Sequence, residues 1–224
     1  MIKKRLSFLV IIGGFLVKIH IEIVTGFLGA GKTTFINSLL SETQVEGERI
    51  FVFQLEKGKV KITQVSNINS LIKTIEINEI KELNEEMIFS IKEHKPHRII
   101  IEYNGTSSLK DLFNILNEKI YREVCKVTTI FFVADGKKLN EYIDNIGEFI
   151  VPCVQYADMV VVNNTEECNE KVLEKGLEKI KNINPKAYVL KVKNKYMLKS
   201  TIREAKILDN GYLKKMKIKF ANYN

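Results

Sequence analysis

Thr25-Gly26-Phe27-Leu28-Gly29-Ala30-Gly31-Lys32-Thr33-Thr34 is the stretch that organises the reading of this chain. Gly26, Gly29 and Gly31 allow the backbone to turn tightly, so that successive N–H groups face inward. Residues 20–25 before the turn form a short apolar run and predict a strand. Phe35, Ile36, Leu39 and Leu40 after it fall on one face of a helix over residues 33–40. A glycine-rich turn between a strand and a helix N-terminus offers main-chain donors and a positive helix end to an anion. Lys32 is spaced to reach β- and γ-phosphates, the Thr33 hydroxyl to ligate Mg²⁺, and Thr34 to sit near an α-phosphate. The Gly-x-x-x-x-Gly-Lys-Thr spacing from Gly26 to Thr33, with Ala30 inside the cradle, therefore reads as a P-loop that holds a nucleoside triphosphate.

Working outward, the chain alternates strands and helices. Residues 49–53, 98–102, 127–133, 159–162 and 187–192 read as strands, and residues 74–77 as a weaker one. Residues 80–94, 109–116 and 170–180 carry helical spacing, and Pro96 closes the first of these regions. This predicts an α/β, P-loop NTPase fold: a mostly parallel sheet with helices on both faces. Ligands of such sheets bind at the carboxyl ends of the strands. That rule gathers residues far apart in sequence at one rim.

Glu102 ends the strand over residues 98–102. A carboxylate there can hold Mg²⁺ opposite Thr33, with Gly105 three residues later offering an N–H to the γ-phosphate. Glu56 follows the second strand; it can contact the metal, orient water or be a plain loop acid. Asn163-Asn164-Thr165-Glu166 follows the strand over residues 159–162, where GTPases carry Asn-Lys-x-Asp. Asn163 matches the residue that braces the P-loop. Asn164 replaces the lysine. Glu166 replaces the aspartate that accepts both donors of guanine, and is one methylene longer. An unpaired buried polar group costs ~1–3 kcal/mol, so this change weakens guanine discrimination without removing its acceptor.

The stretch from Thr25 to Thr34 resembles the P-loop of the CobW-type GTPases, relatives of the UreG and HypB metallocentre-assembly GTPases. Glu102-Tyr103-Asn104-Gly105 is similar to that family's Glu-Thr-Ser-Gly segment. Gln155-Tyr156-Ala157-Asp158 resembles its approach to Asn-Lys-x-Asp. The likeness covers residues 18–190. It implies slow, Mg²⁺-dependent GTP hydrolysis coupled to delivery of a metal or cofactor to a client protein or metalloenzyme. Lys32, Glu102 and Glu56 would serve in hydrolysis, Thr33 and Glu102 on the metal, and a partner or a homodimer mate would supply missing groups. The segments 54–62 and 102–108 would act as switches. Three departures stand out. The family's Cys-x-Cys-Cys motif is lacking, since the first cysteine is Cys125. The Asn-Lys-x-Asp site is altered. The family's C-terminal domain is reduced or missing. The first departure counts against metal carriage, because thiolates are the soft ligands such carriage uses. His94 and His97, on either side of Pro96, are the alternative metal pair.

Composition bounds the remaining readings. With 45% hydrophobic residues, the 224-residue chain can bury a sizeable core. Charge is uneven. Residues 186–224 hold 11 Lys or Arg against Glu204 and Asp209, a local +9, which leaves −1 for the rest of a chain whose formal charge is +8. The boundaries that follow are an apolar N-terminal extension at 1–17, a nucleotide-binding domain at 18–192 and a basic tail at 193–224. Within the tail, Met216, Ile218 and Phe220 alternate with lysines like an edge strand. The tail is read first as a solvated, lysine-rich end; the alternatives for such a charge are nucleic acid, an acidic partner or an anionic membrane surface, with no firm sign of nucleic acid. Lys3-Lys4-Arg5 before an apolar run looks like the start of a signal peptide, but the run is shorter than the ~20 residues a span needs. We read it as preceding a start at Val17, with a membrane-tethered form as the alternative. Cys125, Cys153 and Cys168 are scattered and odd in number, which fits a reducing cytoplasm rather than a disulfide framework. Two other functions remain open: a nucleotide-gated binding module with negligible turnover, and an ATP-dependent small-molecule kinase. The kinase would need an arginine-rich lid, and beyond Arg5 the chain has Arg49, Arg98, Arg122 and Arg203.

Overall fold

Alternation along the strands sorts the core into two layers. Ile21, Ile23, Ile99, Ile101, Phe132 and Ala134 point to one side of the sheet. Val24, Ile100, Phe131 and Val133 point to the other. Strands buried on both faces belong to parallel sheets covered by helices. The computed structural model describes residues 11–12, 15–16, 18–56, 58, 60–63 and 69–205.

Seven strands form the sheet: β1 (Ile19–Gly26), β2 (Arg49–Gln54), β3 (Leu71–Glu76), β4 (Arg98–Asn104), β5 (Cys125–Asp135), β6 (Met159–Asn163) and β7 (Tyr188–Lys191). Their order is β3-β2-β4-β1-β5-β6-β7, and every pairing is parallel. The helices are α1 (Lys32–Thr43), α2 (Ile80–His94), α3 (Leu109–Leu116), α4 (Lys119–Val124), α5 (Leu139–Tyr156), α6 (Glu170–Ile183) and α7 (Leu198–Ala205). Helix α1 covers one face with Phe35, Ile36, Leu39 and Leu40, and α7 adds Leu198 and Ile202 there. Leu83, Met87, Leu109, Leu112, Ile150, Val154 and Ile180 bring α2, α3, α5 and α6 to the other. This is the α/β P-loop NTPase architecture that the sequence predicts.

The differences from the expected elements are local. The third strand starts at Leu71 rather than Thr74, because its partner β2 pairs Arg49 with Leu71 and supplies the hydrogen bonds that its polar residues do not announce. Helix α5 was not foreseen. It carries Pro152, and its backbone leaves helical geometry at Ile146, just before Gly147, so no continuous periodicity marks it. Helix α7 lies inside the stretch expected as a basic tail. Its only buried residues are Leu198 and Ile202, and Arg203 pairs with Glu42 at the end of α1. Within 1–17, Ile11–Ile12 pairs antiparallel with Phe15–Leu16; the rest of that segment lies outside the described residues, as does the edge strand expected at Met216 to Phe220.

Because all strands run the same way, Gly26, Gln54, Asn104, Asp135 and Asn163 end at one rim. The opposite rim is tied by a buried ionic cluster. The Arg98 guanidinium meets Glu48 at 3.1 Å and Glu22 at 3.5 Å, and donates to Thr43 Oγ1 at 2.8 Å. The cluster fastens the end of α1 to β1 and β4.

Candidate functional site

The turn after β1 needs its glycines. Gly26, Gly29 and Gly31 have φ of 143°, 78° and 95°, a region that costs L-residues with a Cβ. Space is equally restrictive at two of them. A Cβ at Gly26 would lie 2.1 Å from the Val133 carbonyl oxygen, and one at Gly31 would lie 2.8 Å from Asn163 Nδ2. The Ala30 N–H donates to Phe27 O at 3.1 Å, which closes the turn. Helix α1 begins at Lys32, with its first N–H groups at the mouth of the turn.

Lys32 is buried and its ammonium folds back over the turn. It donates to Gly26 O at 2.7 Å and Phe27 O at 2.9 Å, and forms an ion pair with Glu56. The Thr33 hydroxyl donates to Glu102 Oε1 at 2.6 Å, and Gln54 Nε2 donates to Glu102 Oε2 at the same distance. Glu102 is only 2% exposed. Burial pushes its carboxyl above the usual carboxylate range, while the two hydrogen bonds and nearby Lys32 pull the other way. The structure thus brings Lys32, Thr33, Glu56 and Glu102 together. Thr34 follows on α1, half-buried.

Gly105 packs directly on the phosphate turn. Its N–H donates to Gly26 O at 3.0 Å, and a Cβ there would lie 2.7 Å from the Gly26 carbonyl carbon. An N–H has one hydrogen, so contact with a γ-phosphate requires that bond to open. Asn163 reaches across from β6: its Nδ2 donates to Ala30 O at 2.9 Å, and its buried Oδ1 has no partner. Glu166 is exposed in the short 3₁₀ turn Thr165–Glu167, where Asn194 Nδ2 donates to its Oε1 at 2.7 Å. It contacts the loop after β7 and not the phosphate turn.

Two residues escaped the sequence reading as contributors. Gln54 opens the expected switch segment 54–62 with no role of its own there; its register opposite Glu102 in the β2–β4 pairing is the signal that assigns it. Asn194 sits just past β7. Its Oδ1 accepts from Tyr196 N at 3.0 Å and Met197 N at 3.2 Å, which leaves its amide nitrogen facing Glu166. An Asn at the carboxyl end of a strand is a weak signal by itself.

The oxygen donors of Thr33 and Glu102 suit a hard cation such as Mg²⁺, which binds through one or two carboxylates plus phosphates. Among the described residues, no three His, Cys, Asp or Glu gather as a metal site. His94 stacks on Phe51 at 5.3 Å between ring centroids, whereas His97 Nδ1 accepts from Arg49 N at 2.9 Å. Among the described residues, Arg49 and Arg98 open β2 and β4 at the far rim, and Arg203 binds Glu42. No helix of the described residues is long and apolar enough to cross a membrane.

A family model described as CobW/HypB/UreG, nucleotide-binding domain, matches residues 20–191. Among solved structures, the Zn(II)-bound YjiA GTPase from E. coli is similar at 22% identity and a TM-score of 0.59, over 77% of this chain and 57% of that one. This chain therefore spans less than two thirds of YjiA. The hydrogenase maturation factor HypB from Archaeoglobus fulgidus is similar at 14% identity and a TM-score of 0.52, over 84% of this chain and 90% of that one. HypB from Helicobacter pylori, in complex with nickel, is similar at 12% identity and a TM-score of 0.51, over 92% and 89%. At these identities the likeness to solved structures speaks for the fold alone.

Proposed function

This chain belongs to the CobW/HypB/UreG nucleotide-binding family, and from that premise we propose that it binds GTP and hydrolyses it slowly with Mg²⁺, assisting metal or cofactor insertion into a partner protein. The observation that carries the reading is the meeting of Lys32, Thr33, Glu56 and Glu102 at the start of α1, over a glycine turn braced by Asn163. Main-chain N–H groups of the turn and Lys32 would orient the triphosphate. Catalysis would rest on positioning and charge neutralisation, with no covalent intermediate. Thr33 and Glu102 would hold Mg²⁺, which when bound neutralises charge on the phosphate oxygens. Asn163 keeps the turn in shape, and Glu166 would accept from the donors of guanine. Membership of a family described as CobW/HypB/UreG supports a metal- or cofactor-related client, and the reading places this work in a reducing cytoplasm.

A second reading, a nucleotide-gated binding module with negligible turnover, has its own support. Both acids near Lys32 are engaged, Glu56 by Lys32 and Glu102 by Thr33 and Gln54, so neither stands ready to orient water. Calorimetric titration with GDP and ADP in Mg²⁺, followed by phosphate release from GTP, separates the readings. We expect GDP to bind more tightly than ADP, and Lys32→Ala to lose binding. Equal binding by Lys32→Ala would defeat both readings; binding without phosphate release would select the second.

A further inference from the structure

An ammonium group has three N–H donors, and on Lys32 all three have protein partners. Two go to Gly26 O and Phe27 O, which belong to the turn and move with it. The third meets the Glu56 carboxylate, which comes from the β2–β3 connection. The side chains of Lys32 and Glu56 are 2% and 10% exposed, so their attraction is weakly screened by solvent. A phosphate oxygen has the same sign of charge as the carboxylate and accepts the same kind of hydrogen bond. The two anions therefore compete for one donor.

The chain around Glu56 is fastened on both sides. Before it, Gln54 Nε2 donates to Glu102 Oε2 at 2.6 Å and Leu55 N donates to Glu102 O at 3.0 Å. After it, Asn37 Nδ2 donates to Lys61 O at 2.9 Å, and Asn37 Oδ1 accepts from Thr63 N at 3.0 Å. Between them, a Cβ at Gly58 would lie 3.6 Å from Thr33 Oγ1. Residues 54–56, 58 and 60–63 thus lie along the start of α1, held to β4 through Gln54 and Leu55 and to α1 through Asn37, with Glu56 aimed at the lysine.

We propose that Glu56 is an internal competitor for the phosphate: it occupies Lys32 and must give way before a polyphosphate is gripped, so the strap carrying it sets nucleotide affinity. The inference rests on the nucleotide-binding reading above and adds regulation of that same site. Its sign separates it from a role for Glu56 on the metal or on attacking water. A ligand of the bound complex weakens binding when removed, whereas a competitor strengthens it. Apparent affinity scales with the competent fraction, so a pair that holds Lys32 in nine molecules of ten hides about tenfold of affinity.

The test uses the full chain and inorganic tripolyphosphate, which has no base to recognise, alongside GDP. Wild type, Glu56→Gln and Asn37→Ala are titrated by calorimetry, with melting temperatures measured in parallel. Glu56→Gln is expected to bind tripolyphosphate about tenfold more tightly. Asn37→Ala, which loosens the strap without touching Lys32, is expected to move the same way by less. Equal or weaker tripolyphosphate binding in a folded Glu56→Gln overturns the inference while wild-type binding of GDP leaves the nucleotide reading standing. If Glu56→Gln does not fold, Asn37→Ala decides by the same criterion. If no variant takes up either ligand, the inference and the reading beneath it fall together. Tighter tripolyphosphate binding with no preference for GDP over ADP supports the inference and removes only guanine.

Discussion

Thr33 Oγ1 donates to Glu102 Oε1 at 2.6 Å and joins the first turn of α1 to the end of β4 across 69 residues of sequence. The bond sits where the start of the phosphate-loop helix meets the strand of the acid that is proposed to hold Mg²⁺. It also supplies one of two partners to a buried carboxylate.

Thr33→Ala removes that donor without adding bulk. The loss of one hydrogen bond to a buried charged group costs about 1.5–3 kcal/mol. At about 2–4 °C per kcal/mol for a protein of this size, Tm falls by several degrees. The same variant is expected to lose the Mg²⁺ dependence of GDP affinity. Thermal melts and titrations with and without Mg²⁺ check both outcomes.

Gly29 and Gly105 separate strain from space. A Cβ at Gly29 meets nothing within 4 Å, so Gly29→Ala carries only the cost of its positive φ, about 1–2 kcal/mol. A Cβ at Gly105 runs into the Gly26 backbone at 2.7 Å. Gly105→Ala must displace the phosphate turn, and we expect at least a tenfold loss of GDP affinity, against a smaller loss in Gly29→Ala. Parallel titrations of the two variants decide it.

Arg98 holds the far rim. Removing one partner of a buried ion pair costs about 3–5 kcal/mol, because the other charge stays buried. Arg98→Met therefore leaves Glu48, which is 1% exposed, short of its main cation. Tm is expected to fall by about 10 °C. A variant that still folds keeps its GDP affinity, because the cluster sits at the amino ends of the strands. A melting curve unchanged from wild type would contradict the role given to the cluster.

His97 gives the fold a pH dependence. Burial, and then the positive charge of Arg49, push its imidazole down to about 4, against the opposing pull of Glu48. Its folded-state value thus lies below the unfolded value of 6.5, and the unfolded chain binds more protons between the two. The stabilisation is fully present above pH 6.5 and is lost as pH falls toward 4. After allowance for the partial exposure of the ring, the effect is about 1–2 kcal/mol. His97→Gln should flatten the fall of Tm over this range. An unchanged slope would show that His97 does not govern it.

Glu166 tests the base. Glu166→Ala should lower GDP affinity by about tenfold or more through loss of a hydrogen-bond acceptor, and leave tripolyphosphate binding as it was. Asn163→Ala should weaken both ligands, since its amide supports the turn itself. Titration of GDP, ADP and tripolyphosphate against the two variants distinguishes base recognition from support of the loop.

Most of the sheet was legible because its strands are continuous apolar runs, as at Ile99-Ile100-Ile101 and Val160-Val161-Val162, and the phosphate turn because its glycines and lysine keep a fixed spacing. Helix α5 was not legible, since Gly147 and Pro152 interrupt its pattern and packing against α6, β5 and β1 holds it. Helix α7 was not legible, since over its eight residues only Leu198 and Ile202 are buried and no apolar stripe marks it.

The sequence alone determined that a strand, a glycine turn and a helix start would build an anion cradle around Lys32, because that depends on local backbone geometry. It also determined a parallel sheet, because apolar runs and helical periods are local too. Only the tertiary structure decided that Glu56 takes Lys32, that Gln54 and Thr33 share Glu102, and that Asn194 claims Glu166. Those choices turn on which strand ends and loops come within hydrogen-bond reach of one another, and strand order and register set that across long sequence separations.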